Sequence, residues 1–106
     1  MADESFAPEL ILRAEVGAFP LWTPHGDNIV PDSLPLSQRV LTAMEDWTIF
    51  WDDVGGAISD PEIMEEFVGQ GFKIAHAARR ELKGRTVWFQ HPVTDERHEI
   101  ELRRPR

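Results

Sequence analysis

The chain changes its hydrophobic period three times. Residues 9–15 (ELILRAE) alternate apolar and polar in steps of two, which predicts a strand. Its two faces carry Leu10, Leu12 and Ala14 on one side and Ile11 and Arg13 on the other. Residues 17–36 lose the alternation and are rich in Pro, Gly, Asp and Asn. They predict a long ordered loop, pinned by Phe19, Leu21 and Trp22, with Trp22 covering one edge of the core. From Ser37 the period becomes helical. Val40, Leu41, Met44, Trp47, Thr48 and Trp51 make one apolar stripe, Ser37 is placed to cap it, Leu36 and Leu41 to staple it, and Gly55-Gly56 to end it.

A second helical stretch opens at Ser59-Asp60-Pro61-Glu62, which reads as a capping box with proline in the first turn and Ile58 and Ile63 as a staple. Met64, Phe67, Val68, Gly71, Ala75, Ala78 and Leu82 share a narrow arc, and Gly84 is a natural stop. Gly71, central in that arc, predicts close approach of a neighbouring backbone; Gly69 faces away and is a candidate kink. Residues 85–91 and 97–103 predict a hairpin. Pairing 87 with 102 and 89 with 100 collects Val87, Phe89, Ile100 and Leu102 on one face. The expected fold is α+β, in the order β-α-α-β-β: a three-stranded sheet with two helices packed on one face. The place of the first strand beside the hairpin stays open. One domain, 1–106, is expected, with a loose arm at 1–8 and a short tail at 104–106.

Charge changes this picture more than composition does. The chain is 42% hydrophobic with four tryptophans and six phenylalanines, enough for a packed core, and carries a net charge of -8. Between Val40 and Phe72 stand eight carboxylates and no lysine or arginine. One sign of charge over so much helix attracts cationic partners and repels nucleic acid and anionic membrane. Residues 73–106 are net basic instead, and the Arg103-Arg104-Pro105-Arg106 tail is the one exception to the exclusion of a strongly basic nucleic-acid binder. With no cysteine there is no disulfide or thiolate chemistry, and no apolar run is long enough to span a membrane, so the cytosol is the expected compartment.

Glu62, Glu65 and Glu66 at the start of the second helix, and Arg79, Arg80 and Lys83 at its end, complement the helix dipole and need no other explanation. The first helix is different. Asp52 and Asp53 fall at its C-terminal end, where negative charge is disfavoured, and Glu45 and Asp46 lie on the same side. Ile49 sits among these four on the expected solvent face. The bland reading is a solvated face with a stray isoleucine; the sharper one is an apolar centre inside a charged rim, as in small interfaces. Asp52-Asp53-Val54-Gly55-Gly56 lacks the ligand alternation of a calcium loop.

The hairpin register sets His91 opposite His98, two nitrogens with no third ligand in view, so no metal or cofactor is expected. His76 lies among Lys73, Arg79, Arg80 and Lys83 without a nucleophile pattern. Trp88 points away from the helices on a sheet face shared with Ile11, Arg13, Gln90, Glu99 and Glu101. That face could be wet, covered by residues 17–36, or a dimer surface.

The run Leu12-Arg13-Ala14-Glu15-Val16-Gly17-Ala18-Phe19-Pro20-Leu21-Trp22, then Leu34-Pro35-Leu36-Ser37 and an acidic, tryptophan-bearing helix, resembles a group of small actinobacterial and phage-borne proteins. The likeness covers the first half of the chain and Glu65-Glu66-Phe67. It implies that Leu12–Trp22 is a structural signature and transfers no activity or site.

The leading expectation is a small acidic, non-catalytic protein-binding module, immunity- or inhibitor-like or a phage accessory protein. It would bind a protein with a basic surface through Glu45, Asp46, Ile49, Asp52 and Asp53, or through the sheet face at Trp88 and Ile11, where a homodimer could also form. A second class is a small-ligand or enzymatic domain using His25, Asp27 and Asp32 against Trp22. A third is a DNA mimic acting on a basic protein.

Overall fold

A computed structural model describes residues 9–102; the arm at 1–8 and the tail at 104–106 lie outside the described residues. The elements are β1 (Glu9–Leu12), β2 (Leu21–Trp22), a 3-10 turn (Pro31–Ser33), α1 (Gln38–Asp53), α2 (Pro61–Glu81), β3 (Thr86–Gln90) and β4 (Arg97–Glu99). The sheet order is β2-β1-β3-β4. β1 runs parallel to β3, and β2 and β4 add antiparallel edges. Parallel neighbours need a long crossover, and the two helices supply it. The fold is α+β as the periodicity predicts, with a mixed sheet of four strands. The added strand, β2, comes from the segment read as loop. Two residues are too few for period-two alternation to register, and Leu21–Trp22 is held instead by β1 on one side and by an Asn28 bridge on the other.

The helices cover one face of the sheet. Leu10, Leu12, Leu21, Val87 and Phe89 from the strands, with Ile100 just after β4, meet Val40, Met44, Trp47, Trp51, Phe67 and Ile74 from the helices. Each such side chain, fully buried, contributes roughly 1.5–3 kcal/mol of transfer free energy. The opposite face holds a smaller group. Ile11 pairs directly with Trp22 on β2 and with Trp88 on β3, so the three align across the strands. Trp22 therefore does not cover the helix-side core, because its register with Ile11 turns it to the outer face. There the Arg13 guanidinium lies 4.2 Å from its ring centroid, and its Nε1 donates to the Arg13 carbonyl.

Ser37 caps α1 by accepting from the Val40 N–H. Its own N–H and hydroxyl donate to the Glu81 carboxylate at 2.7 and 2.8 Å, clamping the start of α1 to the end of α2. α2 is capped by Asp60, whose carboxylate accepts from the Glu62 and Ile63 N–H groups, and not by Ser59. The shift of one residue puts Pro61 at the first helical position, where its missing N–H costs nothing, and a full negative charge at the dipole's positive end.

α2 runs continuously through Gly69, so no break forms there. At Gly71 aromatic rings, not backbone, come close. A Cβ there would overlap the Phe89 ring and sit 2.8 Å from Trp47 Cζ2. The hairpin register differs by two residues from the expected one: Phe89 faces His98, and Ile100 N–H donates to Val87. A two-residue shift keeps each side chain on its face, so apolar agreement could not distinguish the registers. The turn decides. Asp95 adopts φ 63, and the His91 N–H closes on the Glu96 carbonyl. His91 and His98 are consequently not opposite one another.

Candidate functional site

The inward stripe of α1 is Val40, Met44, Trp47, Thr48 and Trp51. Helical geometry then sends Glu45, Asp46, Ile49, Asp52 and Asp53 outward, and all five are exposed. Ile49 is 53% exposed. One step further round, Phe50 is 40% exposed, and Ile63 on α2 is 40% exposed as well. These two apolar residues face each other across a groove of about 220 Å³, lined also by Asp46, Trp47, Glu66, Phe67 and Gln70. Its lining includes two carboxylates, one from each helix, and no lysine or arginine.

The groove floor is built stiffly. The Trp47 and Phe67 rings stack at 4.5 Å and 8°, and the Trp47 Nε1 donates to the Phe67 carbonyl at 2.9 Å. Phe50 and Trp51 flank Phe67 at 5.9 and 5.1 Å. Aromatic pairs of this kind add about 0.5–1.5 kcal/mol each beyond area burial.

The five acidic-face residues do not share one role. Asp52 accepts a hydrogen bond from the Gly17 N–H at 2.9 Å, tying the helix end to the loop after β1. That tether explains a carboxylate at the unfavourable end of the dipole. Asp52→Ala should lower the melting temperature by releasing this loop, at about 0.5–1.5 kcal/mol for one exposed hydrogen bond, whereas Glu45→Ala should leave it unchanged. Equal melting curves for the two variants would remove the tether. Glu45, Asp46, Ile49 and Asp53 remain as outward groups without such a bond among those found.

On the sheet's outer face, Ile11 is only 2% exposed, so it offers no surface to a partner; the flanking Trp22 and Trp88 explain its burial. Trp88 is half-buried, and its Nε1 donates to Glu9 Oε1 at 3.2 Å. His25, Asp27 and Asp32 are exposed; Thr23 organises the turn of the first two, its hydroxyl accepting from the His25 and Asp27 N–H groups, and Asp32 lies in the separate 3-10 turn.

A second, polar cleft of about 510 Å³ lies at the carboxyl ends of β1 and β3 and includes Arg13, Glu15, Gln90, His91 and Asp95. Its polar groups bind one another. Arg13 pairs with Glu15 at 3.2 Å, and Gln90 donates to Asp95 and accepts from Arg97. His91 Nδ1 accepts from the Val93 and Thr94 N–H groups, so this histidine braces the hairpin turn. Among the described residues, no three of His, Cys, Asp or Glu are grouped to hold a metal ion. None of the helices described is long and apolar enough to cross a membrane.

Phe50, Ile63, Glu66 and Gln70 were not singled out as binding residues by the sequence. The usable signal was that Phe50 on α1 and Ile63 on α2 are large apolar residues off the inward stripe of their own helix. The side on which each falls depends on how the helices dock.

The family model for Serratia CdiI immunity protein-like proteins matches residues 8–91, which take in β1, both helices and the groove. The chain belongs to the Serratia CdiI immunity protein-like family. No curated protein matches it. The family agrees with the expectation of a protein that binds a partner protein.

Proposed function

We propose that this protein is an immunity protein that neutralises a toxin by binding it, without catalysis, and that the toxin presents a basic surface to the outer face of α1. The observation that carries this reading is an exposed Ile49 on a helix face with Glu45 and Asp46, next to a groove lined by Phe50, Ile63, Asp46 and Glu66 and by no cation. An apolar centre within a charged rim divides the work: the centre supplies affinity, and the rim supplies orientation and fast encounter. The family description supports the class of function. A small-ligand reading at His25, Asp27 and Asp32 draws no such support, since none of the three lines either cleft and the N–H groups of His25 and Asp27 are bonded to Thr23 within their own turn.

The test expresses the products of the genes flanking this one, and co-expresses any that proves toxic with this protein. Wild type should restore growth and co-purify with the toxin. Ile49→Asp should weaken binding about tenfold or more with an unchanged melting temperature, because Ile49 is half in water already. Joint Glu45→Gln and Asp46→Asn replacement should slow association and flatten its salt dependence. Asp52 is left intact because it also holds the Gly17 loop. Full protection and unaltered affinity in both variants would rule out this face.

A further inference from the structure

We propose that the α1–α2 groove is an anchor pocket that takes a single bulky apolar side chain of the toxin, aromatic or long aliphatic, with a lysine or arginine within two residues of it. This deepens the toxin-binding reading and rests on it.

Size comes first. Small-molecule sites span about 300–1,000 Å³, and a groove of about 220 Å³ is below that range. It suits one large side chain better than a metabolite. Its chemistry agrees: the floor is the Trp47–Phe67 stack, and the walls are Phe50 and Ile63, both left partly in water. The floor is already locked by the Trp47–Phe67 hydrogen bond, so occupation requires no rearrangement there. Preorganisation of this kind limits the ordering cost of association.

Charge selects the occupant. Asp46 and Glu66 stand on opposite helices, and the lining contains no base. An apolar anchor beside a cation gains from both carboxylates. An acidic or phosphate-bearing segment is repelled by them. Gln70 supplies an amide able to bond the backbone of the inserted segment. The polar cleft near His91 competes poorly as a docking point, because its side chains are already paired among themselves.

The experiment uses the full chain and a toxin that it neutralises on co-expression, sought among the products of the flanking genes. Gln70→Trp fills the groove from an exposed helix position, and Ile63→Glu removes an apolar wall and adds like charge. Each should weaken toxin binding at least tenfold while circular dichroism and melting temperature stay those of wild type. Asp32→Asn, an exposed acid outside the groove, should bind as wild type does. A photocrosslinking residue at position 70 should capture a toxin peptide that contains a bulky apolar residue next to lysine or arginine. If wild type and both groove variants bind the toxin equally, the anchor pocket is overturned and the toxin-binding reading stands. A crosslinked peptide with no neighbouring base, or one from a second copy of this chain, also overturns it. If wild type does not bind the toxin at all, both proposals fall together.

Discussion

Truncating Phe89 to alanine is expected to lower the unfolding free energy by about 3–5 kcal/mol, a large share of the roughly 5–15 kcal/mol that holds a domain folded. Phe89 is fully buried in β3 and touches both helices through other aromatics. Its ring lies 4.5 Å from Phe72 and 6.1 Å from Trp47, centroid to centroid. Removing it takes away the transfer free energy of the ring and leaves a cavity between sheet and helices. Rigid aromatic neighbours collapse poorly into such a space. Chemical denaturation followed by tryptophan fluorescence measures the loss. An unfolding free energy within about 1 kcal/mol of wild type would mean that the helices close the gap, and would overturn the rigid packing around Phe89.

The second large effect sits against the same ring. Gly71→Ala is expected to destabilise by about 2 kcal/mol, although alanine is the better helix former by about 1 kcal/mol. The added Cβ overlaps Phe89 and meets Trp47 Cζ2 at 2.8 Å, and overpacking in a filled core costs about 3 kcal/mol when neighbours cannot yield. Gly69→Ala, two residues earlier in the same helix, should have the opposite sign. Nothing lies within 4 Å of its Cβ position, so the propensity gain of up to about 1 kcal/mol is kept. Combining Gly71→Ala with Phe89→Leu should cost less than the sum of the two, because leucine vacates the space that alanine enters. Equal and favourable effects at Gly69 and Gly71 would remove the close contact.

Both predictions show where local reasoning worked. Gly71 was marked as a close approach because it lies in the middle of an apolar arc, where a side chain is expected and absent. What fills the gap was not readable, since Phe89 and Trp47 come from β3 and α1. The same limit acted at the groove. Ile49 was found because it breaks the polar pattern of its own helix, a test that needs α1 alone. Phe50 and Ile63 form a site only as a pair, and they are thirteen positions apart on different helices. The hairpin shows a third form of the limit. Alternation determined the inward face for Val87, Phe89 and Ile100 but not the register, because registers two apart present the same faces; Leu102, expected beside them, is 37% exposed.

Periodicity, caps and charge were therefore sufficient for the helix positions, the inward faces of β1 and β3 and the lysine- and arginine-free acidic stretch, all of which depend on neighbours within about one helical turn. Docking settled the rest. It placed β1 beside β3 and recruited Leu21–Trp22 as an edge strand. It turned Asp52 from a surface charge into a loop tether and set Phe50 against Ile63. Those outcomes follow from how two helices and a sheet share one interior, and contacts between distant segments leave no periodic trace along the chain.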